Sequence, residues 1–230
     1  MSKTFKASKE LYKVIKNTNK YEQNFIEPRI YIVSRWIGKN KKILDVGCYN
    51  GLYAEIFKNN NNEVYGIDAS CDAVKEANKR GIKATVADLE GCFPYPKEFF
   101  DIIHAGEVIE HLYDTDDFVQ ECRRVLKKDG KLIITTPNTL SLPRRILYFF
   151  GIGKFFEASN TFSTEKGSVG HIRFFTKKLL KDFIESKGFK MVAFTSDFIN
   201  FPFFRSNFLA RIKPTFGRTL IGKFKNIKEY

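Results

Sequence analysis

Residues 43–51 read ILDVGCYNG. A short apolar run ends in Asp45, and the loop behind it carries Gly47 and Gly51. That is the layout of a first strand and turn in a nucleotide-binding α/β domain. A dinucleotide loop, however, is written G-x-G-x-x-G, and a phosphate loop is written G-x-x-x-x-G-K-[ST]. Neither pattern is present, and no basic residue stands in the loop. Its ligand is therefore expected to carry no phosphate.

Outward from this stretch, strand-like and helix-like segments alternate. EVYGIDAS is a strand ending at Asp68, and CDAVKEANKRG is a helix stopped by Gly81, with Ala73, Val74 and Ala77 on one face. IKATVADLE is a strand running to Asp88, and FFDIIHAGEVIEHL is a strand entering a loop. TDDFVQECRRVLKKDG reads as a helix with an acidic start, a basic end and a terminal glycine, which suits the helix dipole. KLIITTPN is a strand broken by Pro137. TKKLLKDFIESKG is a helix with Thr176 at its N-cap and Gly188 beyond its end, followed by strands FKMVAFTS and RTLIGKFK. Such alternation predicts a Rossmann-like α/β fold. The expected sheet has seven strands, mostly parallel, with helices on both faces and an antiparallel last strand.

One domain over residues 1–230 is expected, with a helical cap at 1–41 and a cofactor-binding core at 42–137. Two long pieces, 138–170 and 197–217, interrupt the repeat and read as lid or substrate insertions. The formal charge is +13 and is unevenly placed. Residues 1–42 hold eleven Lys/Arg against three Glu, and residues 198–230 hold seven against one, whereas 43–197 nearly balances. Basic ends suit an anionic partner, and they equally suit a plain solvated surface. No apolar run reaches the ~18–20 residues that span a bilayer. The four cysteines contain no C-x-x-C pair, so they read as reduced thiols in a cytoplasmic protein.

In open α/β sheets ligands sit beyond the carboxyl ends of the strands. Those ends carry Asp45 with Gly47, Asp68, Asp88, and Gly106 with Glu107. An acidic side chain after the second strand accepts ribose hydroxyls, and Asp88 is placed to accept an adenine amine. In order and spacing, ILDVGCYNG, VYGIDAS, ATVADLE, FDIIHAGEVIEHL and LKKDGKLIITTPN resemble the class I S-adenosylmethionine-dependent methyltransferases. The resemblance covers residues 42 to about 138. It implies S-adenosylmethionine as cofactor, whose ribose, adenine and methionine parts carry no phosphate. It places Asp45, Gly47, Cys48 and Gly51 at the methionine end and Asp68 with Ala69 at the ribose. Asp88 and Leu89 frame the adenine, while Ala105, Gly106 and Glu107 form the inner wall. Tyr21 stands where relatives fold a helix over the cofactor. Asn50 departs from the pattern, where relatives commonly have a second glycine, and Tyr49 is larger than usual there.

EVIEHL brings Glu107, Glu110 and His111 together, and His171 follows in GHIRFFT. This set resembles ubiquinone-pathway O-methyltransferases and small-RNA 3′-terminal methyltransferases, in which an E-x-x-E-H motif holds a divalent metal. Glu107, Glu110, His111 and His171 are the metal candidates, and Glu107, His111 and His171 are the catalytic ones. Without a metal, either histidine serves as general base. Arg173 orients an acidic substrate group or pairs with a lid carboxylate, and His104 in mid-strand is a core residue. DFINFPFFRSNFLARIKPTFGR mixes six phenylalanines with four basic residues. PRRILYFFGIGKFF has a similar character. These segments suit sheet packing, an anionic membrane surface or single-stranded nucleic acid. The leading expectation is O-methylation of a small-molecule, glycan or lipid-linked acceptor, with peripheral contact to an anionic membrane. A metal-dependent RNA ribose 2′-O-methyltransferase is the second reading, and a non-catalytic binding protein on the same fold is the third.

Overall fold

The computed structural model describes residues 20–152, 171–201 and 204–227, and of residues 20–27 only the backbone. Helix α1 (Lys20–Ile37) leads into β1 (Lys42–Val46), α2 (Leu52–Lys58), β2 (Glu63–Asp68), α3 (Cys71–Lys79) and β3 (Lys83–Val86). Then come β4 (Phe100–Gly106), a 3₁₀ turn (Ile109–His111), α4 (Thr115–Val125), β5 (Leu126–Pro137) and α5 (Leu142–Phe149). Helix α6 (Lys177–Ser186) precedes β6 (Phe189–Ser196), a hairpin of β7 (Ile199–Phe201) and β8 (Phe204–Ser206), and α7 (Asn207–Ile212). A second 3₁₀ turn (Pro214–Phe216) and β9 (Thr219–Asn226) follow.

The seven-stranded sheet runs β3-β2-β1-β4-β5-β9-β6. The β1 to β5 neighbours pair in parallel, and β9 runs antiparallel to both β5 and β6. The expected architecture is thus present, antiparallel last strand included. Its central strands are covered on both faces, which is why they read as near-continuous apolar runs. One face carries Leu44, Val46, Ile103, Ala105, Leu132 and Ile134 under α4 and α6. The other carries Ile43, Ile102 and Ile133, with Ile30 and Val33 of α1, Phe57 of α2 and Ala77 of α3 packed over them. Lys223 of β9 donates to the Trp36 carbonyl at 3.0 Å, tying α1 to the last strand.

The caps follow the sequence. Ser70 Oγ accepts from Ala73 N–H at 3.3 Å, and Thr176 Oγ1 accepts from Leu179 N–H at 3.2 Å. Gly188 takes φ +84 beyond α6. One boundary differs from expectation. Helix α4 stops at Val125, and Leu126 already pairs with Phe100 in the sheet. Gly130 therefore serves a tight approach at the start of β5 and not a helix end. A Cβ there would stand 2.9 Å from the Lys127 carbonyl and from Leu126 Cδ2. Insertion 197–217 is built from the β7–β8 hairpin, α7 and the second 3₁₀ turn. Of 138–170, residues 153–170 lie outside the described residues, as does the cap before residue 20.

Candidate active site

Strand registers bring the polar ends level. Val46 pairs with Ile67 on one side and Ala105 on the other, and Asp68 pairs with Val86. Asp45, Gly47, Asp68 and Gly106 thus stand along one edge, with Asp88 two residues past β3.

The loop after β1 is closed by backbone bonds. Gly47 and Cys48 N–H both donate to the Ile67 carbonyl, at 2.8 and 3.0 Å, and Gly51 N–H returns to Cys48 O at 2.9 Å. Gly47, Tyr49 and Gly51 take φ of +68, +46 and +78. The left-handed residue between the glycines is therefore Tyr49, not Asn50. Tyr49 stands where a glycine would be free of strain, while its side chain is exposed. The Tyr49 N–H is held by Asp68 Oδ2 at 2.8 Å. Asn50 serves the helix instead, since its Oδ1 accepts from Leu52 N–H at 3.2 Å and so satisfies the first donor of α2. Asp68 Oδ1 also accepts from Ser70 N–H at 2.9 Å, so this carboxylate braces two loops at once. Asp88 makes the equivalent turn with Glu90 N–H at 2.9 Å. Leu89 packs against the core behind Gly47, Ala105 is buried, and Ala69 is exposed.

Asp45 is buried and bonds His104 Nδ1 at 2.6 Å. His104 also meets Phe57 edge-on, with ring centroids 5.1 Å apart. His104 is a core residue as expected, and its partnership with Asp45 is a feature that the sequence does not announce. The other Asp45 oxygen, Oδ2, is buried without a hydrogen-bond partner. A buried carboxylate oxygen wants a donor. The ammonium or hydroxyl groups of the nucleoside-methionine cofactor implied by the loop fit that need. Cys48 lies over Gly66, whose Cβ would come 2.6 Å from its Sγ. Burial, with Asp45 and Asp68 nearby, pushes the Cys48 thiol up, so it remains protonated.

Glu107 turns the chain at the end of β4 with φ +57. Its Oε1 accepts from Arg29 Nη1 at 3.0 Å and from Thr135 Oγ1 at 3.1 Å. Arg29, from α1, also donates to Tyr53 Oη at 3.1 Å. Burial pulls the Arg29 guanidinium down, but the facing Glu107 and Tyr53 more than offset this and hold it charged. No motif marks Arg29, because its partner lies 78 positions away in the chain.

Beyond Glu107, the donor atoms of Glu110, His111 and His171 lie within 4.8 Å of one another. The imidazole centroids are 4.7 Å apart. Glu110 is buried; its Oε2 accepts from Thr136 Oγ1 at 3.0 Å, and its Oε1 is without a partner. Burial, and next the Glu107 charge, raise the Glu110 carboxyl well above the usual carboxylate range. Glu107, a fourth candidate ligand by sequence, is not in this group, and its Oε1 faces Arg29 instead. His171 reaches the site through a backbone splice: Ile172 and Arg173 N–H donate to the Glu110 carbonyl at 3.0 and 3.1 Å. The Arg173 guanidinium binds the carbonyls of Leu112, at 2.9 Å, and of Tyr113. Among the described residues Arg173 thus acts as a clamp on backbone.

A cavity of about 220 Å³ opens here, lined by Arg29, Glu107, His111, His171, Asp197, Arg218 and Thr219. Asp197 is buried, and burial raises its carboxyl while Phe198 and Thr219 N–H donate to it at 2.7 and 3.1 Å. Asp197 and Arg218 flank the second insertion and belong to no motif that would mark them. Tyr21 falls in α1, but its side chain lies outside the described residues.

Residues 44–134 match the family model described as a methyltransferase domain. The chain is 33% identical over 156 residues to the mitochondrial ubiquinone biosynthesis O-methyltransferase of Bos taurus, covering 64% of this chain and 40% of that protein. It is 39% identical over 106 residues to the ubiquinone biosynthesis O-methyltransferase of Pelagibacter ubique, covering 44% and 43%. The chain thus spans less than half the length of the curated relatives it matches. Among solved structures, a Thermotoga maritima SAM-dependent methyltransferase, described as a possible histamine N-methyltransferase, superposes with TM-score 0.62 at 19% identity. That match covers 94% of this chain and 99% of the other. An Aquifex aeolicus SAM-dependent methyltransferase gives 0.60 at 15% identity, covering 94% and 98%. In its matched core, residues 44–134, and in its β3-β2-β1-β4-β5-β9-β6 sheet, the chain is similar to the class I S-adenosylmethionine-dependent methyltransferases.

Proposed function

We propose that this chain methylates an oxygen of a small-molecule or lipid-linked acceptor, using S-adenosylmethionine. The observation that carries the reading is the His111–His171–Glu110 cluster, set beside the cofactor edge of the sheet, with both histidines lining a cavity. The O-methyltransferase names of the curated relatives point the same way. When bound, the cofactor supplies an electrophilic methyl group on a sulfonium. Asp68 and Asp88 would hold its ribose and adenine, and Asp45 Oδ2 with the Gly47–Gly51 loop its methionine end. Orientation of this kind supplies roughly 7–11 kcal/mol of barrier lowering. The acceptor hydroxyl must lose its proton, and the imidazole of His111 or His171 would take it. Arg29 holds Glu107 out of that exchange.

The same three residues, Glu110, His111 and His171, form a donor set that fits a small divalent cation. One buried carboxylate oxygen without a partner and two imidazoles suit magnesium, manganese or zinc. Such an ion would lower the pKa of a bound hydroxyl. A cation there would suit a metal-dependent RNA ribose methyltransferase as well as a ubiquinone-type O-methyltransferase.

Titration calorimetry with S-adenosylmethionine tests the donor half. Binding should be clear and should weaken at least about tenfold in Asp68→Ala, which loses both ribose acceptance and the brace on Tyr49. No binding by the intact chain would refute the reading. Methyl transfer to a panel of catechols, hydroxylated lipids and RNA 3′ ends tests the acceptor half. His111→Ala should lower kcat by about 10²–10⁴ with cofactor affinity kept. Activity that survives EDTA assigns the proton to histidine alone, and activity restored only by added metal assigns the cation.

A further inference from the structure

Outside the cavity, α5 and α7 present large apolar side chains to solvent. Phe149 is 85% exposed and Phe208 70%, with Phe150, Ile152 and Ile212 all above 60%. They are too many and too close in the chain to be scattered surface residues. The two helices belong to one face. Arg145 of α5 donates to the Thr215 carbonyl at 3.3 Å, and its guanidinium lies 5.0 Å from the Phe216 ring centroid, in the turn that follows α7.

The charge of that face is one-sided. Residues 142–152 and 204–216 contain five Lys/Arg and no Asp or Glu. Beside α5 opens a groove of about 470 Å³, lined by Arg145, Lys177, Lys178 and Lys181, with Asp182 its one acidic residue. Lys178 pairs with Asp182, Lys181 with Glu185, and Lys177 sits 4.7 Å from the Phe194 ring centroid. Even with those pairs counted, cations exceed carboxylates across the face. Apolar side chains that project from a basic surface match an anionic bilayer: aromatic groups enter the acyl boundary while basic groups meet lipid phosphates. A soluble protein partner would have to bring both a greasy pocket and an acidic rim. No helix among the described residues is long and apolar enough to cross a membrane, so the contact would lie in the interface plane.

We propose that α5, α7 and the Lys177–Lys181 groove form a docking face for a membrane rich in anionic phospholipid. This inference is independent of methyl transfer, and its test reads binding alone. Cosedimentation of the full chain with vesicles of phosphatidylcholine containing none or about 30 mol % phosphatidylglycerol measures it. Binding should rise at least about tenfold with the anionic lipid and weaken with salt. The double variant Phe149→Asp, Phe208→Asp should lose the binding about tenfold or more, because both rings are exposed and neither supports the core. Lys178→Glu should weaken it about fivefold. Unchanged thermal unfolding and cofactor titration show that the variants are folded.

Failure to bind anionic vesicles overturns the proposal, as does binding that the double aspartate variant leaves intact. Self-association of the chain that this variant abolishes, without vesicle binding, would assign the face to a second copy. Tight, steeply salt-dependent RNA binding without vesicle binding would assign it to nucleic acid. Each of these outcomes also overturns the proposal.

Discussion

The loop that decides the fold also offers the sharpest quantitative test. Gly51 and Gly38 both sit in the left-handed region, at φ +78 and +82. They differ in what a methyl group would meet. At Gly51 a Cβ would lie 2.9 Å from Ala77 Cα and 2.9 Å from Ala77 Cβ, with Ile82 Cγ1 at 3.2 Å. Ala77 is fully buried in α3, so the obstacle is packed backbone and not a movable side-chain tip. At Gly38 nothing lies within 4 Å. Gly38→Ala therefore isolates the cost of a left-handed alanine, ~1–2 kcal/mol. Gly51→Ala adds the overpacking of α2 against α3, ~1–3 kcal/mol more. In a chain of this size that difference corresponds to ~2–12 °C in Tm. Urea unfolding of both variants measures it, with m-values checked for constancy. S-adenosylmethionine affinity should fall in Gly51→Ala and hold in Gly38→Ala, which lies at the opposite end of β1. Two variants that agree within ~0.5 kcal/mol would refute the claim that close helix approach, and not backbone conformation alone, requires Gly51.

Three further outcomes follow from contacts around the site. Arg29→Met leaves Glu107 half-buried without its cation. It should cost ~1–3 kcal/mol by urea unfolding, less than a fully buried pair because Glu107 is partly solvated; adding Glu107→Gln should recover part of the loss. Asn50→Ala should cost ~1 kcal/mol through the lost bond to the first N–H of α2, whereas Tyr49→Gly should stay within ~1 kcal/mol because relief of a left-handed tyrosine offsets added chain entropy. Of the four thiols, Cys71 and Cys92 are exposed while Cys48 and Cys122 are buried. Burial pushes both buried thiols up. Maleimide mass labelling of the native chain should add two groups quickly and the other two only on unfolding, and rapid labelling of Cys122 would contradict the packing of α4.

The residues proposed for the donor half of the site can be picked out from the sequence because each is local. Each element of it is a strand end and the few residues after it: Gly47 and Gly51 after β1, Asp68 closing β2, Asp88 after β3, Glu107 after β4. Spacing along the chain is enough to place such residues once the strands are recognised. Local pattern misleads where a residue answers to a distant partner. Leu126 looks like the last turn of α4, but its pairing with Phe100 draws it into β5. Arg173 carries no sign in the chain that the carbonyls of Leu112 and Tyr113 engage it. Asn50 looks like the anomaly of the loop because a glycine count says nothing of which residue turns left-handed; backbone dihedrals assign that to Tyr49.

The residues proposed for the acceptor half obey the opposite rule. Arg29 comes from α1, Glu107 and His111 from the segment after β4, His171 from before α6, Asp197 from the end of β6, and Arg218 with Thr219 from the start of β9. The motifs EVIEHL and GHIRFFT offer Glu107, His111 and His171. No spacing announces Arg29, Asp197, Arg218 or Thr219, and the last two join the set because β9 inserts antiparallel between β5 and β6 and brings residue 218 back beside Asn138. Asn138 ties the site to the insertion through its side-chain amide, which donates to the carbonyls of Thr215 and Gly217 at 3.0 and 2.8 Å. The division has a physical reason. A cofactor common to many reactions can be held by the turns of the sheet itself, but acceptor choice needs residues that are free to change without disturbing those turns. Insertions and strand-edge residues supply that freedom, so substitutions at Asp197 and Arg218 should alter which acceptors react before they alter how tightly the methyl donor binds.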